Sequence, residues 1–232
     1  MSGTGEEVQV ARAADVAAGP TVHAVTVGAF QENCYLVVDP STRAAALVDP
    51  GAEGHRIVAM VREAGVTLEA IWLTHAHLDH VGAIADVKRV WDVPVHLHPL
   101  DHPTFDLAPR AARMYGLPWA PQPLPDRELA EGEPLALGAL RFDVMHTPGH
   151  APGHVTIHGH GLAIVGDCLF YGSVGRTDLP GANPKDLTQS LARIAALPPA
   201  SRVLSGHGPE STIARELAEN SFLNGGARVL GG

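Results

Sequence analysis

The chain has 232 residues, of which 45% are hydrophobic and 18% charged, a composition typical of a globular protein with a sizeable core. Its net charge of -9, without any run of Lys or Arg, argues against binding to a nucleic-acid backbone. Cys34 and Cys168 lie far apart and outside a CxxC spacing, so no disulfide framework is expected. This cysteine usage, with neither a secretory signal nor an apolar segment of membrane-spanning length, predicts a cytoplasmic protein without a membrane partner. The sequence predicts no oligomeric state.

The first part of the chain predicts an antiparallel meander followed by alternating helices and strands. Residues 1–20 lack a clear hydrophobic period and are interpreted as a flexible N-terminal tail. Apolar residues that run together or alternate between turn signals predict strands at residues 21–28, 34–38, 44–48, 68–73 and 93–97. Apolar residues at helical spacing predict helices at residues 54–64 and 81–91.

Residues 98–134 are the least regular part of the sequence. They contain eight prolines, which interrupt both helical and strand patterns. We expect an elaborated surface loop with a short helix at residues 110–115. Long loops in compact domains are often lids or binding elements.

The remainder of the chain returns to strands and helices. Short apolar runs predict strands at residues 140–145, 154–158, 162–165 and 203–204. Helices are predicted at residues 185–196, after Asn183-Pro184, and at residues 210–218. With no internal repeat or strong linker, residues 21–224 are interpreted as one domain with two packed layers of sheet, and residues 225–232 as a C-terminal tail.

Residues 74–80 concentrate metal-binding side chains directly after an apolar run at residues 70–73. The apolar run predicts a buried strand, so His75, His77, Asp79 and His80 would emerge from its end into a loop. Polar groups crowded at such a place are costly unless something satisfies them. A bound metal would satisfy them.

Three later positions share this setting. His150 follows the predicted strand at 140–145, Asp167 follows 162–165, and His207 follows 203–204, each with a glycine beside it. Glycine allows the backbone to approach a bound group closely. Strand ends gathered at one edge of a sheet would bring these side chains to the first four.

The order His75-x-His77-x-Asp79-His80, His150, Asp167, His207 resembles the metal-binding signature of the metallo-β-lactamase superfamily. Further segments resemble short bacterial glyoxalase II-like (hydroxyacylglutathione hydrolase-like) hydrolases. These segments are Thr147-Pro148-Gly149-His150-Ala151-Pro152-Gly153-His154, Gly166-Asp167-x-Leu169-Phe170, Gly175-Arg176-Thr177-Asp178-Leu179-Pro180-Gly181, Gly206-His207-Gly208-Pro209 and Glu219-Asn220-x-Phe222-Leu223. The resemblance covers residues 22–223, nearly the whole chain.

The resemblance implies an α+β fold, a single-domain αββα four-layer sandwich with a two-metal site at one edge. By motif position, the first metal would be held by His75, His77 and His150. The second would be held by Asp79, His80 and His207, with Asp167 bridging and Asp79 also taken as catalytic. The implied cofactors are two divalent metal ions, with zinc as the first choice; the ligand types also suit iron or manganese.

The activity that the resemblance implies is metal-dependent hydrolysis of a thioester such as S-lactoylglutathione, a small-molecule acyl-thiol. A metal-bound hydroxide would attack the carbonyl, because coordination lowers the pKa of water to about 7. The leaving thiol has a pKa of about 8.5, so it can depart without a dedicated general acid. Longer glyoxalase II enzymes carry a C-terminal helical domain that helps to bind glutathione, and this sequence stops soon after His207, so the thiol carrier stays open.

The alternative is a persulfide dioxygenase on the same fold. Those proteins share the Gly-Arg-Thr-Asp segment and use one iron held by two histidines and an aspartate, which would be His75, His150 and Asp167 here. The continuation of that segment as Leu-Pro-Gly and the glyoxalase-like ending favour the hydrolase.

Four further residues receive interpretations of their own. His154 is expected to lie behind the site and to support it. His98 follows a strand end, and we interpret it as structural, with a minor role near the pocket as the alternative. The Cys168 thiol is expected to point away from Asp167, because neighbours alternate sides in extended backbone. Arg176 is interpreted as a brace of its Gly-rich loop, with substrate binding as the alternative.

Overall fold

The computed structural model describes residues 19–229, and its main feature is a pair of six-stranded β-sheets. A separate two-stranded hairpin completes the strands of this region. Nearly all of the predicted tail at residues 1–20, and the last three positions of the one at 225–232, lie outside the described residues.

The first sheet is antiparallel at one side and parallel at the other. Its spatial order is the chain order, β1 (Thr21–Val27), β2 (Glu32–Val38), β3 (Ala44–Val48), β4 (Thr67–Trp72), β5 (Val95–Leu97) and β6 (Arg127–Glu128). Strands β1 to β3 form the predicted antiparallel meander, and β3 to β6 pair in parallel. Parallel strands end at the same edge of a sheet, so the loops after β3, β4 and β5 are neighbours.

The second sheet has the order β14-β13-β10-β9-β8-β7. Its strands are β7 (Leu135–Leu137), β8 (Leu140–His146), β9 (Val155–Gly159), β10 (Leu162–Gly166), β13 (Arg202–Ser205) and β14 (Ser211–Thr212), and the hairpin is β11 (Leu169–Phe170) and β12 (Ser173–Val174). Strands β10 and β13 pair in parallel, with a register shift between Ile164 and Gly166. A bulge of this kind bends a strand and re-aims the side chains after it.

Helices cover the outer faces of both sheets. They are α1 (Gly54–Ala64), α2 (Leu78–Val81), α3 (Ile84–Lys88), α4 (His102–Met114), α5 (Pro184–Ala195) and α6 (Ile213–Glu219). One buried apolar cluster joins α1–α4 to the first sheet, a second lies between the sheets, and a third joins α5 and α6 to the second sheet. Between the sheets, the Trp72 and Phe142 rings meet edge to face with centroids 5.6 Å apart. This layering confirms the predicted αββα sandwich.

Helix α1 illustrates how the sequence selects these layers. Its Ile57 and Val61 side chains are buried against the first sheet, and each buried side chain of this size contributes about 1.5–3 kcal/mol. The helix ends at Gly65, which has a φ of 61°. Glycine adopts this left-handed conformation without steric cost, so the predicted end of the helix is confirmed.

The interpretation of residues 98–134 was wrong in its main part. A 3-10 turn at Pro99–Asp101 leads into α4, a helix of 13 residues rather than the short one predicted at 110–115. Pro103 lies in the first helical turn, where no backbone hydrogen bond is lost, and Pro109 lies inside the helix. Burial of Phe105, Ala108 and Ala112 offsets the bond that Pro109 removes.

The helix predicted at residues 81–91 is divided in two. A turn at Gly82-Ala83 separates α2 from α3. Here the chain packs so closely that a Cβ atom on Gly82 would lie 2.4 Å from the Gly51 carbonyl oxygen. Within residues 19–229, no helix combines the length and the apolarity needed to cross a membrane.

Candidate metal centre

The side chains predicted as metal ligands lie together at the ends of four strands from both sheets. We call His75, His77 and His150 the first triad, and Asp79, His80 and His207 the second triad. In each triad the potential ligand atoms lie within 4.8 Å of one another, and Asp167 forms a similar group with His75 and His80. The structure therefore brings together all of the predicted site residues; their assignment to individual metals remains a prediction.

Asp167 lies between the two triads. One carboxylate oxygen, Oδ1, is 3.4 Å from His80 Nε2, and the other, Oδ2, is 3.5 Å from His150 Nε2 and 3.4 Å from His207 Nε2. Within the first triad, His77 Nδ1 is 2.9 Å from His150 Nε2. A carboxylate that faces both triads is suited to bridge two ions.

Hydrogen bonds to the outer ring nitrogens orient three of the histidines. The Nδ1 atoms of His80, His150 and His207 lie 3.1 Å from Asp49 Oδ2, 2.9 Å from the Arg176 carbonyl and 3.0 Å from the Phe30 carbonyl. All three acceptors require Nδ1 to carry a proton, so Nε2 is the ring nitrogen that faces the centre and would bind a metal. Metal-binding histidines in proteins are oriented by this kind of hydrogen bond.

The buried polar atoms at the centre fit a metal site. His75 Nε2, His80 Nε2 and Asp167 Oδ1 are buried and have no hydrogen-bond partner among the described residues. Buried polar groups normally have hydrogen-bond partners, so these unpartnered atoms fit coordination to a metal ion. The backbone also approaches the centre closely, because a Cβ atom on residue 206, which is glycine, would lie 2.2 Å from Asp167 Oδ1.

The two triads differ in electrostatics. Burial lowers the pKa of His75 well below its ordinary value, and burial together with His150 lowers the pKa of His77 to about 3. Burial acts in the same direction on His207, but hydrogen bonds to Asp167 and Asp79 outweigh it and raise the pKa to about 10. The pKa of His80 is likewise raised against burial, by Asp167 and Asp49. Without metal, the second triad therefore holds protons at neutral pH that His75 and His77 do not.

Asp49 supports both triads from behind, a role that the sequence interpretation missed. Its Oδ1 accepts the Thr74 backbone N–H at 2.8 Å, and its Oδ2 accepts the Thr74 hydroxyl at 2.7 Å and His80 Nδ1. The Thr74 hydroxyl also lies 3.1 Å from His75 Nδ1. Asp49 follows a buried strand, the same signal that identified Asp167, but it was not among the predicted site residues.

Asp101 connects the two loops that carry the first triad. Its buried carboxylate accepts the backbone N–H of Ala76, between His75 and His77, at 2.6 Å through Oδ2. Its Oδ1 accepts the N–H of Gly153, in the loop of His150, at 2.9 Å. One side chain thus bridges these loops, and no sequence pattern identified it because it lies in the proline-rich segment.

Strand β2 holds the loop that carries His207. The Asn33 side chain donates to the carbonyls of Ser205 and Gly208 at 3.2 and 2.8 Å, and the Tyr35 hydroxyl donates to the Ser205 carbonyl at 2.7 Å. The Asn33 backbone N–H donates to the Gly206 carbonyl at 2.7 Å. Several bonds from the first sheet therefore position a ligand that belongs to the second.

The four residues that were interpreted individually lie in different surroundings. His154 is buried behind the centre, where its Nε2 accepts the Asp167 backbone N–H at 3.1 Å. Cys168 points into the apolar cluster beneath α5, away from the centre. The Arg176 side chain pairs with Asp178 in its own loop at 2.5 and 2.6 Å, as a brace would. His98 stacks on His146, with ring centroids 4.4 Å apart.

A cavity of about 480 Å³ opens onto the centre, and we call it the centre cavity. His77, Asp79, His150, Asp167 and His207 line its floor, and α4 supplies an apolar wall. The wall includes Leu107, Ala111 and Tyr115, and Arg176 lies on the opposite loop. The cavity has the size and mainly apolar lining of a small-molecule site.

The family model described as the metallo-beta-lactamase superfamily matches residues 27–207, which include every residue of both triads and Asp167. The chain belongs to this superfamily. Members of this fold bind divalent metals, and membership supports an enzymatic role as a metallo-hydrolase.

Two relatives match over almost their whole length. The chain is 40% identical over 204 residues to the probable metallo-hydrolase YqgX of Bacillus subtilis, covering 86% of this chain and 95% of that protein. It is 38% identical over 208 residues to the hydroxyacylglutathione hydrolase GloC of Haemophilus influenzae, covering 88% of this chain and 98% of that protein.

Solved structures extend the comparison. TTHA1623 in a di-iron-bound form is 47% identical, with a TM-score of 0.81 over 87% of this chain and 100% of that one. ETHE1 from Myxococcus xanthus is more distant, at 26% identity and a TM-score of 0.74 over 88% of this chain and 85% of that one.

Proposed function

We propose that the chain hydrolyses thioesters of a small thiol, such as S-lactoylglutathione, with two divalent metal ions bound by the two triads and bridged by Asp167. Zinc is the first choice, and iron or manganese would suit the same ligands. The observation that carries the proposal is the proximity of both triads and Asp167 to one another, with five of these seven side chains on the floor of the centre cavity. The relative named as a hydroxyacylglutathione hydrolase and the di-iron TTHA1623 support it.

Bound metal ions supply a nucleophilic water at neutral pH and a Lewis acid for the carbonyl. In the hydrolysis, the water oxygen forms a bond to the acyl carbon, the carbon–sulfur bond breaks, and the water's protons end on the carboxylic acid and the thiol. The leaving thiol has a pKa of about 8.5, so the sulfur can leave as thiolate. The reaction therefore needs few groups beyond the metal ligands.

Asp79 is the chain's own candidate for handling a proton. Although burial opposes ionisation, the His207 hydrogen bond and the neighbouring imidazoles lower the pKa of Asp79, so its carboxylate is ionised at neutral pH. Asp79 Oδ2 lies 3.4 Å from His207 Nε2, and the residue lines the centre cavity. We assign Asp79 the roles of ligand and acceptor of the proton from the attacking water.

The test is thiol release from S-lactoylglutathione and a panel of other thioesters by protein of measured metal content. We expect release that is lost with a chelator and restored by adding metal. Protein that holds two metal ions and releases no thiol from any of these substrates would overturn the proposal.

The persulfide dioxygenase is the second candidate, supported by the likeness to ETHE1 and by the proximity of His150 and Asp167. It needs one iron, whereas donor atoms for a second ion, from Asp79, His80 and His207, are also in place. Oxygen consumption with glutathione persulfide by protein holding a single iron would favour this candidate over the hydrolase.

A further inference from the structure

A second cavity opens beside the metal centre. It has a volume of about 280 Å³, and we call it the Trp119 cavity because the segment after α4 supplies much of its wall. Its apolar lining comes from Val27, Leu117, Pro118 and Trp119. Nothing in the chemistry described above uses this space.

The two cavities share part of their walls beside Asp79 of the second triad. Phe30, Leu78 and Asp79 line both of them, so each reaches the same metal-binding carboxylate from its own side. The Phe30 ring packs edge to face against Tyr115, which lines only the centre cavity, with centroids 5.1 Å apart. The chain then continues from Tyr115 to Trp119, so one segment contributes to both walls.

A thioester has a shape that matches two cavities meeting at a metal ligand. Its carbonyl carries two arms, the acyl chain and the thiol carrier, and both must leave the reacting carbon in different directions. A site with a single cavity would hold one arm and leave the other in solvent. Here each arm has a cavity beside Asp79.

Charge distinguishes the two cavities. Apart from the candidate metal ligands, the charged side chain that lines the centre cavity is Arg176, and the one that lines the Trp119 cavity is Glu53. Their ion-pair partners, Asp178 and Arg56, line neither. Small thiol carriers such as glutathione are anionic, so the centre cavity suits the carrier and the apolar Trp119 cavity suits an uncharged acyl chain.

We propose that the Trp119 cavity is the acyl subsite, and that the preferred substrates are thioesters joining an apolar acyl chain to an anionic thiol. The inference rests on the proposed thioester hydrolysis. It differs from a preference for lactoyl thioesters, because the small polar lactoyl group would leave the apolar lining unfilled. Filling it contributes about 0.8 kcal/mol per methylene, which corresponds to about fourfold in kcat/KM.

The experiment measures kcat/KM for a series of S-acylglutathiones with acetyl, butyryl, hexanoyl and octanoyl chains. For the wild-type protein we expect a rise of about fourfold per methylene until the cavity is full. In Trp119→Ala this dependence on chain length should largely disappear. In Ala29→Leu, which fills the cavity from an exposed position, the optimum should move to a shorter chain.

Leu107→Ala is the matched control, because Leu107 lines only the centre cavity. We expect it to lower kcat/KM by a similar factor for every chain length. Thermal unfolding of each variant checks that Trp119→Ala has not disturbed the core against which Trp119 packs. Because Ala29→Leu alters an exposed site, it tests the inference even if Trp119→Ala is unstable.

Rates that do not vary with chain length in the wild type would overturn the acyl subsite, as would a dependence that both variants retain. Thioester hydrolysis would stand in either case. If metal-loaded protein cleaves no thioester at all, the proposed function fails and the inference fails with it.

Discussion

The two triads of the candidate metal centre differ in how they are held and in the charge they carry. The loops of the first triad are joined by the Asp101 carboxylate and by a backbone hydrogen bond from the Val155 N–H to the Thr74 carbonyl at 2.8 Å. The loop of His207, in the second triad, is held by several bonds from Asn33, Tyr35 and the Phe30 carbonyl. One side chain, Asp101, thus bridges the two loops of the first triad, whereas two side chains and a backbone carbonyl hold the loop of His207.

The two triads also differ in protonation, and this difference favours metal binding at the first triad. His75 and His77 have lowered pKa values and present free lone pairs at neutral pH. His80 and His207 have raised values and must lose protons before they can bind a metal. The triad whose loops share the Asp101 bridge therefore also contains the two histidines, His75 and His77, that need lose no proton at neutral pH to bind a metal.

The largest effect should come from replacing Asp167, the carboxylate that lies between the two triads. We expect Asp167→Asn to weaken metal binding at both triads and to lower thiol release by more than about 100-fold, beyond the 10–100-fold typical of groups that only orient ligands. Metal analysis and thiol-release assays measure the two effects. Asp106→Asn, an exposed carboxylate on α4, is the control. Two tightly bound ions in Asp167→Asn would argue against a bridging role.

Asp101→Asn should impair the first triad and leave the second triad unchanged. An amide has one oxygen, so it can accept from Ala76 or from Gly153 but not from both, and we expect about 10–100-fold weaker metal binding at the first triad only. The free energy of unfolding should fall by about 1–3 kcal/mol, because a buried N–H loses its acceptor. Chelator competition and denaturant unfolding measure these changes, again with Asp106→Asn as the control. Selective loss of metal from the second triad would contradict this account.

The pH dependence of metal binding should sharpen the comparison. The pKa of His207 is raised to about 10, so below that value a metal must displace its proton and affinity rises with pH. We expect about tenfold per pH unit for each proton displaced at the second triad, and a weaker dependence at the first. Titration of metal-free protein with zinc at pH 6, 7 and 8 should therefore show one tight site at the lowest pH and two at the highest. Equal pH slopes at both sites would refute the assignment of charge.

The smallest effect is expected where support is redundant. Tyr35→Phe removes one hydrogen bond to the Ser205 carbonyl, but Asn33 still donates to that carbonyl. We expect the free energy of unfolding to fall by about 0.5–1.5 kcal/mol, with both metals retained. Chemical denaturation and metal analysis measure this. Loss of the second metal would show that the support is not distributed.

Features that depend on local pattern could be predicted from the sequence. The strands preceding His75, His150, Asp167 and His207 are apolar runs, and the chain places their ends beside one another. The αββα fold followed from these elements together with the family resemblance. The extent of α4 did not, because its prolines give a breaking signal that only the burial of Phe105 and its neighbours overrides.

The supporting contacts could not be predicted, and the reason is physical. Asp101 acts on Gly153, 52 positions along the chain, and Asn33 acts on Gly208, 175 positions along, so each contact exists only after the sheets pack. The carbonyls of Phe30 and Arg176 orient histidines through backbone atoms, which carry no residue-specific signal. Asp49 could have been predicted from the sequence, since it follows a strand in the same way as Asp167.

The bulge in β10 has a consequence for how metal preference could change in related chains. Val165 is the extra residue between Ile164 and Gly166, and the chain then directs Asp167 to the centre and Cys168 into the core. A turn sets these directions, because Gly166 has a φ of 45° and the Cys168 N–H donates to the Val165 carbonyl at 3.0 Å. A chain that lacked the extra residue would bring Cys168 to the position that Asp167 now holds, offering a thiolate where a carboxylate now lies. Sulfur favours softer ions than oxygen does. A single-codon deletion therefore separates this centre from one of different metal chemistry.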